Sequence, residues 1–321
     1  MGNNVRNAIS NSEILLIYEA KLCNPNGDPD DENRPRIDPK TRINLVSDVR
    51  LKRFFRNYII DKYGEDKIWV STVEGKHVDA TGRSDKLLEK VGNRDDIVNI
   101  VLQRCIDARL FGATIPLRSR KGQEDKESRG ESYSITGPVQ FTWGYSLHPV
   151  ELVDSSTITS MFKGRETEAE AGTIGKDYRL YYSLIAFYGV INGMRARYSS
   201  LSENDIKILD NMLWESIVID ATTRSKIGHT PHLYMRIEYK EGNYLHGDLR
   251  KYIRVSQQDN KPIRDLKDLN VNLDDLIAYL NNNHERINTI YIRSSEHFEN
   301  IVGKINNIKV IQLPHMNITL Q

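Results

Sequence analysis

The sequence predicts an α+β fold in which helices pack on one face of an antiparallel sheet. Residues 13–22 contain a short apolar run without breakers, which is typical of a buried strand. Residues 44–62 follow the periodicity of an amphipathic helix. The segments that follow alternate between strand and helix patterns and show no fixed repeat, which argues against a solenoid. At 321 residues, the chain is long enough for one large domain or two smaller ones.

The composition is that of a globular protein, with 39% hydrophobic and 28% charged residues. The net charge of +1 does not indicate a wholly basic chain but allows a local basic patch. The only cysteines, Cys23 and Cys105, lie far apart, so we expect no zinc site and no disulfide scaffold. Residues 1–11 lack the apolar core of a signal peptide, and the longest nearly apolar run, residues 181–190, is too short to span a membrane. We therefore expect a cytoplasmic protein that contacts no membrane.

The first strand is predicted from Glu13 to Leu22 because Ile14 to Tyr18 are all apolar or aromatic. Residues 23–29, Cys-Asn-Pro-Asn-Gly-Asp-Pro, are rich in turn formers and end the strand. A polar loop continues from there to about Arg42.

The first helix is predicted from about Asn44 to Lys62. Its core-facing stripe follows the i, i+4, i+7, i+8 spacing and consists of Leu51, Phe55, Tyr58 and Ile59. Three apolar residues in the first turns lie off this stripe: Leu45, Val46 and Val49. We expect these turns to pack on another part of the molecule or on another subunit.

The later segments complete the predicted sheet and add polar insertions. In chain order they are a strand at 67–73, a helix at 95–110, an exposed charged loop at 118–129, one or two strands at 132–146, a projecting hairpin or flap at 155–176, a strand at 177–194, a helix at 204–219, a strand at 232–239, a helix at 273–280, a short strand at 289–292 and an extended stretch at 308–320. Ferredoxin-like sheets have the predicted form, an antiparallel sheet with helices on one face, and the remaining polar segments are then insertions.

A basic run from Arg34 to Arg56 is the first functional signal. It contains eight Lys and Arg residues against two Asp residues, a local net charge of +6. At about 100° per residue, four of them fall opposite the apolar stripe of the helix: Arg50, Lys52, Arg53 and Arg56. Such a face attracts a phosphate chain without reading its sequence. The alternative is a solvated helix face, but the scarcity of acidic residues at i±4 favours binding.

An acidic cluster in the loop before the helix is the second signal. It consists of Asp28, Asp30, Asp31, Glu32 and Asp38. Clustered carboxylates can hold a divalent metal for phosphodiester cleavage. The alternative is turn chemistry, because Asn-Gly-Asp-Pro is a turn sequence.

Two further segments carry weaker signals. In the flap, Met161-Phe162 precedes Lys163 and Arg165, and apolar side chains on a projecting arm either stack on bases or anchor the arm to the core. The basic loop Arg224-Ser225-Lys226 precedes a strand and is a candidate phosphate contact. Nucleotide-binding and hydrolase motifs such as Walker A, GxGxxG, HExxH and GxSxG are absent from the sequence.

Several blocks of the chain together resemble one known family. The first is Asn-Pro-Asn-Gly-Asp-Pro-Asp at 24–30, followed by Arg34-Pro35, Asp38, Thr41, Ser-Asp-Val at 47–49, Leu-Lys-Arg at 51–53 and Arg56. Later blocks are Asp-Ala-Arg-Leu-Phe-Gly at 107–112, Ser-Ile-Thr-Gly-Pro-Val-Gln at 134–140 and, more loosely, 188–192 and 223–225. Over about residues 13–240 the chain is similar to CRISPR Cascade backbone subunits of the Cas-seven family. Its length and its charged middle loop favour the type I-B branch over I-C.

The resemblance implies a right-hand shape. The whole chain, residues 1–321, would form one RRM-like, ferredoxin-like palm with an inserted fingers region at about 74–130 and a thumb at about 155–176. Copies would stack along one CRISPR RNA, whose guide pairs with target DNA while the protein holds the backbone. The other implied partners are the guide-end-binding, large and small Cascade subunits. No cofactor, metal or catalytic residue is implied.

The resemblance also assigns site residues. Lys52, Arg53 and Arg56 match the phosphate-holding helix face, with Arg50 beside them. Arg34, Arg36 and Arg42 lie in the loop that lines the RNA path, together with Asn26. Met161 and Phe162, with Lys163 and Arg165, fall where the thumb is expected. Related type III subunits cut target RNA with an aspartate in an early loop, so a metal-dependent endoribonuclease that uses an Asp of residues 28–31 is the alternative.

Overall fold

The computed structural model describes residues 9–72, 76, 78–91, 96–117, 132–160, 173–220 and 225–313. The strands, in chain order, are β1 (Ser12–Cys23), β2 (Gly27–Asp28), β3 (Arg34–Pro35), β4 (Ile43–Val46), β5 (Gly112–Pro116), β6 (Ser132–Thr136), β7 (Val139–Phe141), β8 (Gly144–Pro149), β9 (Thr157–Ser160), β10 (Thr173–Lys176), β11 (Leu180–Ile191), β12 (His229–Tyr239), β13 (Arg254–Gln257), β14 (Leu269–Asn272), β15 (Ile287–Ser294) and β16 (Lys309–Gln312). The helices are α1 (Asp48–Tyr63), α2 (Ala80–Val91), α3 (Ile97–Arg104), α4 (Ile106–Phe111), α5 (Gly193–Ser199), α6 (Glu203–Ile219) and α7 (Asp274–Asn282).

One large sheet forms the centre of the molecule. Its strands lie in the order β16-β15-β12-β1-β11-β8-β4, with β7 also paired to β11. The neighbouring strands are antiparallel except for β15 and β16, which are parallel. β1 lies in the middle, where Ile14 is opposite Gly189 of β11 and Arg236 of β12. The predicted α+β class is confirmed, as a mixed sheet.

Both faces of the sheet are covered. On one face, Leu16 and Tyr18 of β1 pack in a core that includes residues of α1 and α6. On the other face, Leu15 and Ile17 pack in a core completed by residues 249–305, which include α7. The prediction that helices cover only one face is therefore wrong. Consecutive residues of β1 are apolar, and such a strand is buried from both sides.

Helix α1 begins later than predicted. The side chain of Ser47 caps it by accepting a hydrogen bond from the Arg50 backbone N–H, and Gly64, at φ +92°, ends it. Leu45 and Val46 belong to β4, which explains why they lie off the helical stripe. Val49 remains 63% exposed on the first turn.

Other boundaries also differ from the predictions. Residues 65–67 form a 3-10 turn, and the described part of 67–73 contains no strand. The helix predicted at 95–110 breaks at Cys105 into α3 and α4. The segment 132–146 contains β6, β7 and the start of β8 rather than one or two strands. The flap has a hairpin base, because β9 and β10 pair antiparallel.

The segment from Trp69 to Ile135 contributes a separate apolar cluster that includes Leu87, Val101 and Cys105. Most residues of this cluster lie in the part of the chain where the fingers are expected, at about 74–130. Within the described ranges, no helix is long and apolar enough to cross a membrane.

Candidate nucleic-acid interface

The loop of residues 24–42 is held firmly against the start of α1. The side-chain oxygen of Asn26 accepts hydrogen bonds from the backbone N–H of Ser47 at 2.8 Å and from its hydroxyl at 2.9 Å. The backbone carbonyl of Asn26 accepts from the N–H of Arg36 at 3.3 Å. Asn26, predicted as an RNA contact, therefore positions the loop relative to the N-terminal end of the helix.

The three loop arginines have different environments. Arg34 donates to the Tyr178 hydroxyl at 3.2 Å, and its guanidinium lies 4.6 Å from the centre of that ring. Arg36 pairs with Asp28 at 3.0 Å. Arg42 is exposed, and its side chain donates a long 3.4 Å hydrogen bond to the Val150 carbonyl, with no carboxylate partner within the described residues. Its backbone is left-handed at φ +61°, a conformation that is uncommon outside glycine.

These arginines line an open groove of about 490 Å³. Its walls include Asp28 and Asp31 as well as apolar residues, and Trp143, a residue that is 47% exposed, contributes its indole ring. The Arg36 guanidinium lies 5.8 Å from the centre of this ring. Trp143 was not predicted as a site residue. The sequence feature that could have indicated it is a large aromatic residue in the short link between two strands.

The base of the hairpin lies beside this loop. Lys176 of β10 pairs with Glu32 at 2.9 Å, and the Tyr178 hydroxyl donates to the same carboxylate at 2.6 Å. These two donors lower the pKa of Glu32 to about 2. The structure thus brings the loop and the base of the predicted thumb together. Four predicted thumb residues lie outside the described residues: Met161, Phe162, Lys163 and Arg165.

Arg56 and Lys52 of α1 are engaged inside the molecule. Arg56 is 8% exposed and donates to Asp107 at 2.8 Å. Asp107 is fully buried and also accepts from the backbone N–H groups of Trp69 and Val70. Lys52 pairs with Asp48 at 2.9 Å. The prediction that Arg56 lies on an exposed face is wrong, because a helical wheel gives a direction but not what packs there, and here α4 covers it.

Arg50, in the first turn of α1, lies near Lys226. Arg50 pairs with Asp220 at 3.5 Å, and burial lowers its pKa. Lys226 donates to the Asn24 carbonyl at 2.5 Å; burial lowers its pKa to about 8, and the Arg50 charge adds to the shift. Arg53 is partly exposed and has no ion-pair partner in the described part of the chain. Arg224, predicted beside Lys226, lies outside the described residues.

The acidic cluster of the loop is largely used in local contacts. Asp28 accepts from Arg36 and from the backbone of Asp30, while Asp31 lies 3.8 Å from Arg34. Within the described ranges, no three His, Cys, Asp or Glu side chains are grouped closely enough to hold a metal ion. The geometry therefore combines exposed cations, an exposed indole and paired carboxylates, an arrangement suited to holding a phosphate chain and its bases.

Comparison with known proteins gives a consistent result. The family model described as "CRISPR-associated protein Cas7" matches residues 10–274. A Haloferax volcanii protein, "CRISPR-associated protein Cas7", is 33% identical over 307 residues, which cover 92% of this chain and 90% of that protein.

Two solved structures match this chain at low sequence identity. A chain from "CRISPR RNA-guided surveillance complex, pre-nicking" matches with a TM-score of 0.51 at 12% identity, covering 94% of this chain and 96% of that one. A chain from "CRISPR RNA-guided surveillance complex" matches with a TM-score of 0.46 at 12% identity, covering 93% and 94%. The first of these shows a shared fold.

Proposed function

This chain belongs to the CRISPR-associated Cas7 family, and on that premise we propose that it is a non-catalytic backbone subunit that holds CRISPR RNA by its phosphates. One observation carries the proposal: Arg34, Arg36 and Arg42 line a single open groove beside the hairpin base. A row of guanidinium groups binds phosphates without regard to sequence, as a scaffold for variable guides requires.

The topology supports a ferredoxin-like palm. Strands β12, β1, β11 and β8 are consecutive neighbours in the sheet, α1 lies between β1 and β8 in the chain, and α6 lies between β11 and β12. This is the βαββαβ arrangement. An RRM binds RNA on an open sheet face, but here both faces are buried. The RNA path is therefore proposed to follow the loop of residues 24–42 and the end of α1 at Arg50, Arg53 and Lys226.

The assembly is part of the same proposal. A chain of similar fold comes from a structure described as an RNA-guided surveillance complex. We expect copies of this chain to stack along one CRISPR RNA beside guide-end-binding, large and small subunits, with target DNA paired to the guide. The fingers at about 74–130 and the thumb at about 155–176 remain the predicted insertions.

The first test is to purify the chain from cells that carry its native CRISPR locus and to sequence the RNA that accompanies it. We expect RNAs with repeat-derived ends around variable spacers. Heterogeneous cellular RNA would contradict the guide-scaffold role. The double variant Lys40→Glu/Arg42→Glu, with both positions exposed, should lose this RNA. Arg254→Glu/Lys261→Glu, whose side chains are 67% and 81% exposed, is the matched control and should keep it.

The proposal that the chain does not cleave RNA requires a separate measurement. The pairing of Asp28 with Arg36 and the nearness of Asp31 to Arg34 support it, since ligands of a catalytic divalent metal must be free to bind the ion. We expect target RNA paired to the guide to stay intact after incubation with Mg²⁺ or Mn²⁺. Regularly spaced cuts that disappear in Asp30→Ala would establish the endoribonuclease alternative instead.

A further inference from the structure

Trp143 has an exposed side chain, and its backbone is held in place by the surrounding structure. It lies in the link between β7 and β8, which both pair with β11. Its carbonyl accepts a 2.8 Å hydrogen bond from Arg250, which is 6% exposed and held by Asp248. A Cβ on the next residue, Gly144, would lie 2.4 Å from the Phe187 ring, so the backbone there packs directly on the core. A side chain on such a fixed backbone is already positioned to bind.

The surroundings of the ring define its ligand. Trp143 shares its groove with Arg34, Arg36 and Arg42, whose charges exceed those of Asp28 and Asp31 by one. The groove volume of about 490 Å³ falls within the roughly 300–1,000 Å³ of small-ligand sites. An aromatic face beside guanidinium groups is the arrangement that binds single-stranded nucleic acid, because any base can stack on the ring while the cations hold the phosphates.

We propose that Trp143 is a stacking platform for one unpaired base of the bound RNA, with the adjoining phosphate held at Arg42. This inference rests on the proposed function and adds to it a contact with a base. Arg42 supplies the charge because it has no carboxylate partner among the described residues, whereas Arg36 is neutralised by Asp28. Stacking does not discriminate among bases, so the contact is compatible with variable guides.

The test uses the purified full chain and an oligouridine of about 15 nucleotides, near the upper end of single-strand site sizes. The chain has three tryptophans; Trp69 is 5% exposed and Trp214 partly buried, so fluorescence quenching on RNA binding should come mainly from Trp143. The anisotropy of a dye-labelled oligouridine reports binding in variants that lack Trp143, and by this measure Trp143→Ala should weaken binding roughly 5- to 150-fold, from the stacking contribution of one base. Trp143→Phe should restore most of it. Tyr198→Ala, which removes a ring that is 61% exposed on α5, should bind as the wild type does.

The outcomes separate the two proposals. If Trp143→Ala binds RNA normally while Lys40→Glu/Arg42→Glu does not, the platform is excluded and the phosphate scaffold stands. If the wild type binds no RNA, both are overturned. A loss that is confined to oligothymidine would overturn the assignment to RNA. A loss of self-association with unchanged oligouridine binding would assign Trp143 to an interface between copies and overturn the platform.

Discussion

Helix α1 and the loop of residues 24–42 share one basic stretch of sequence but use their charges differently. In the helix, Lys52 and Arg56 pair with Asp48 and Asp107 and are largely buried. In the loop, Arg36 also pairs with a carboxylate, Asp28, but Arg42 is exposed and has no carboxylate partner among the described residues. The difference teaches that a run of cations does not by itself mark a binding surface. A cation is available to bind a ligand only when it does not already have a partner inside the fold.

The helix side of this comparison is tested by Arg56→Ala, where we expect the largest effect. Removing Arg56 leaves the fully buried Asp107 without its cation, and such changes lower the free energy of unfolding by about 3–5 kcal/mol. Arg53→Ala, at a partly exposed neighbour, should change it by less than about 0.5 kcal/mol. Urea denaturation measures both. Equal losses in the two variants would mean that the Arg56 pair does not stabilise the fold.

The loop side is tested by the salt dependence of RNA binding. Arg42→Gln should weaken binding roughly tenfold, as expected for a charged hydrogen bond, and reduce the slope of log affinity against log salt by about one. Lys52→Gln should leave the slope unchanged, because Lys52 is already neutralised by Asp48. Titrations of oligouridine at several salt concentrations supply the slopes. A reduced slope in Lys52→Gln would place Lys52 itself in the phosphate path.

A smaller effect is expected at Lys226, between the two regions. Burial lowers its pKa from 10.5 to about 8, so its positive charge is lost as the pH rises through about 8. RNA affinity should fall a few-fold between about pH 7 and pH 9. Lys226→Arg, which stays charged, should remove this fall. The same shift makes stability rise with pH from about 8 to 10.5, since the unfolded lysine still holds its proton there. An unchanged pH profile in Lys226→Arg would exclude Lys226 from the interface.

Local patterns predicted the elements well and their environments poorly. Periodicity placed α6, which a Ser202–Asp205 capping box begins, and the alternation of residues 232–239 placed most of β12. The burial of Arg56 was not predictable, because its partner Asp107 lies 51 positions away along the chain. Trp143 was missed for the same reason: residues 28–42 and 143–152 meet only in the folded groove. Spacing rules describe neighbours along one element and carry no information about such contacts.

The central position of β1 also has a consequence for biosynthesis. Its partner strands begin at Leu180 and His229, so the ribosome must add more than 150 residues after Cys23 before β1 meets even the start of β11. At about 5–20 residues per second, that wait lasts roughly 8–30 s. During this interval the buried, apolar strand β1 has no sheet partner, and late, long-range pairing makes folding slow. We therefore expect yield in heterologous expression to depend on chaperone supply and on low temperature.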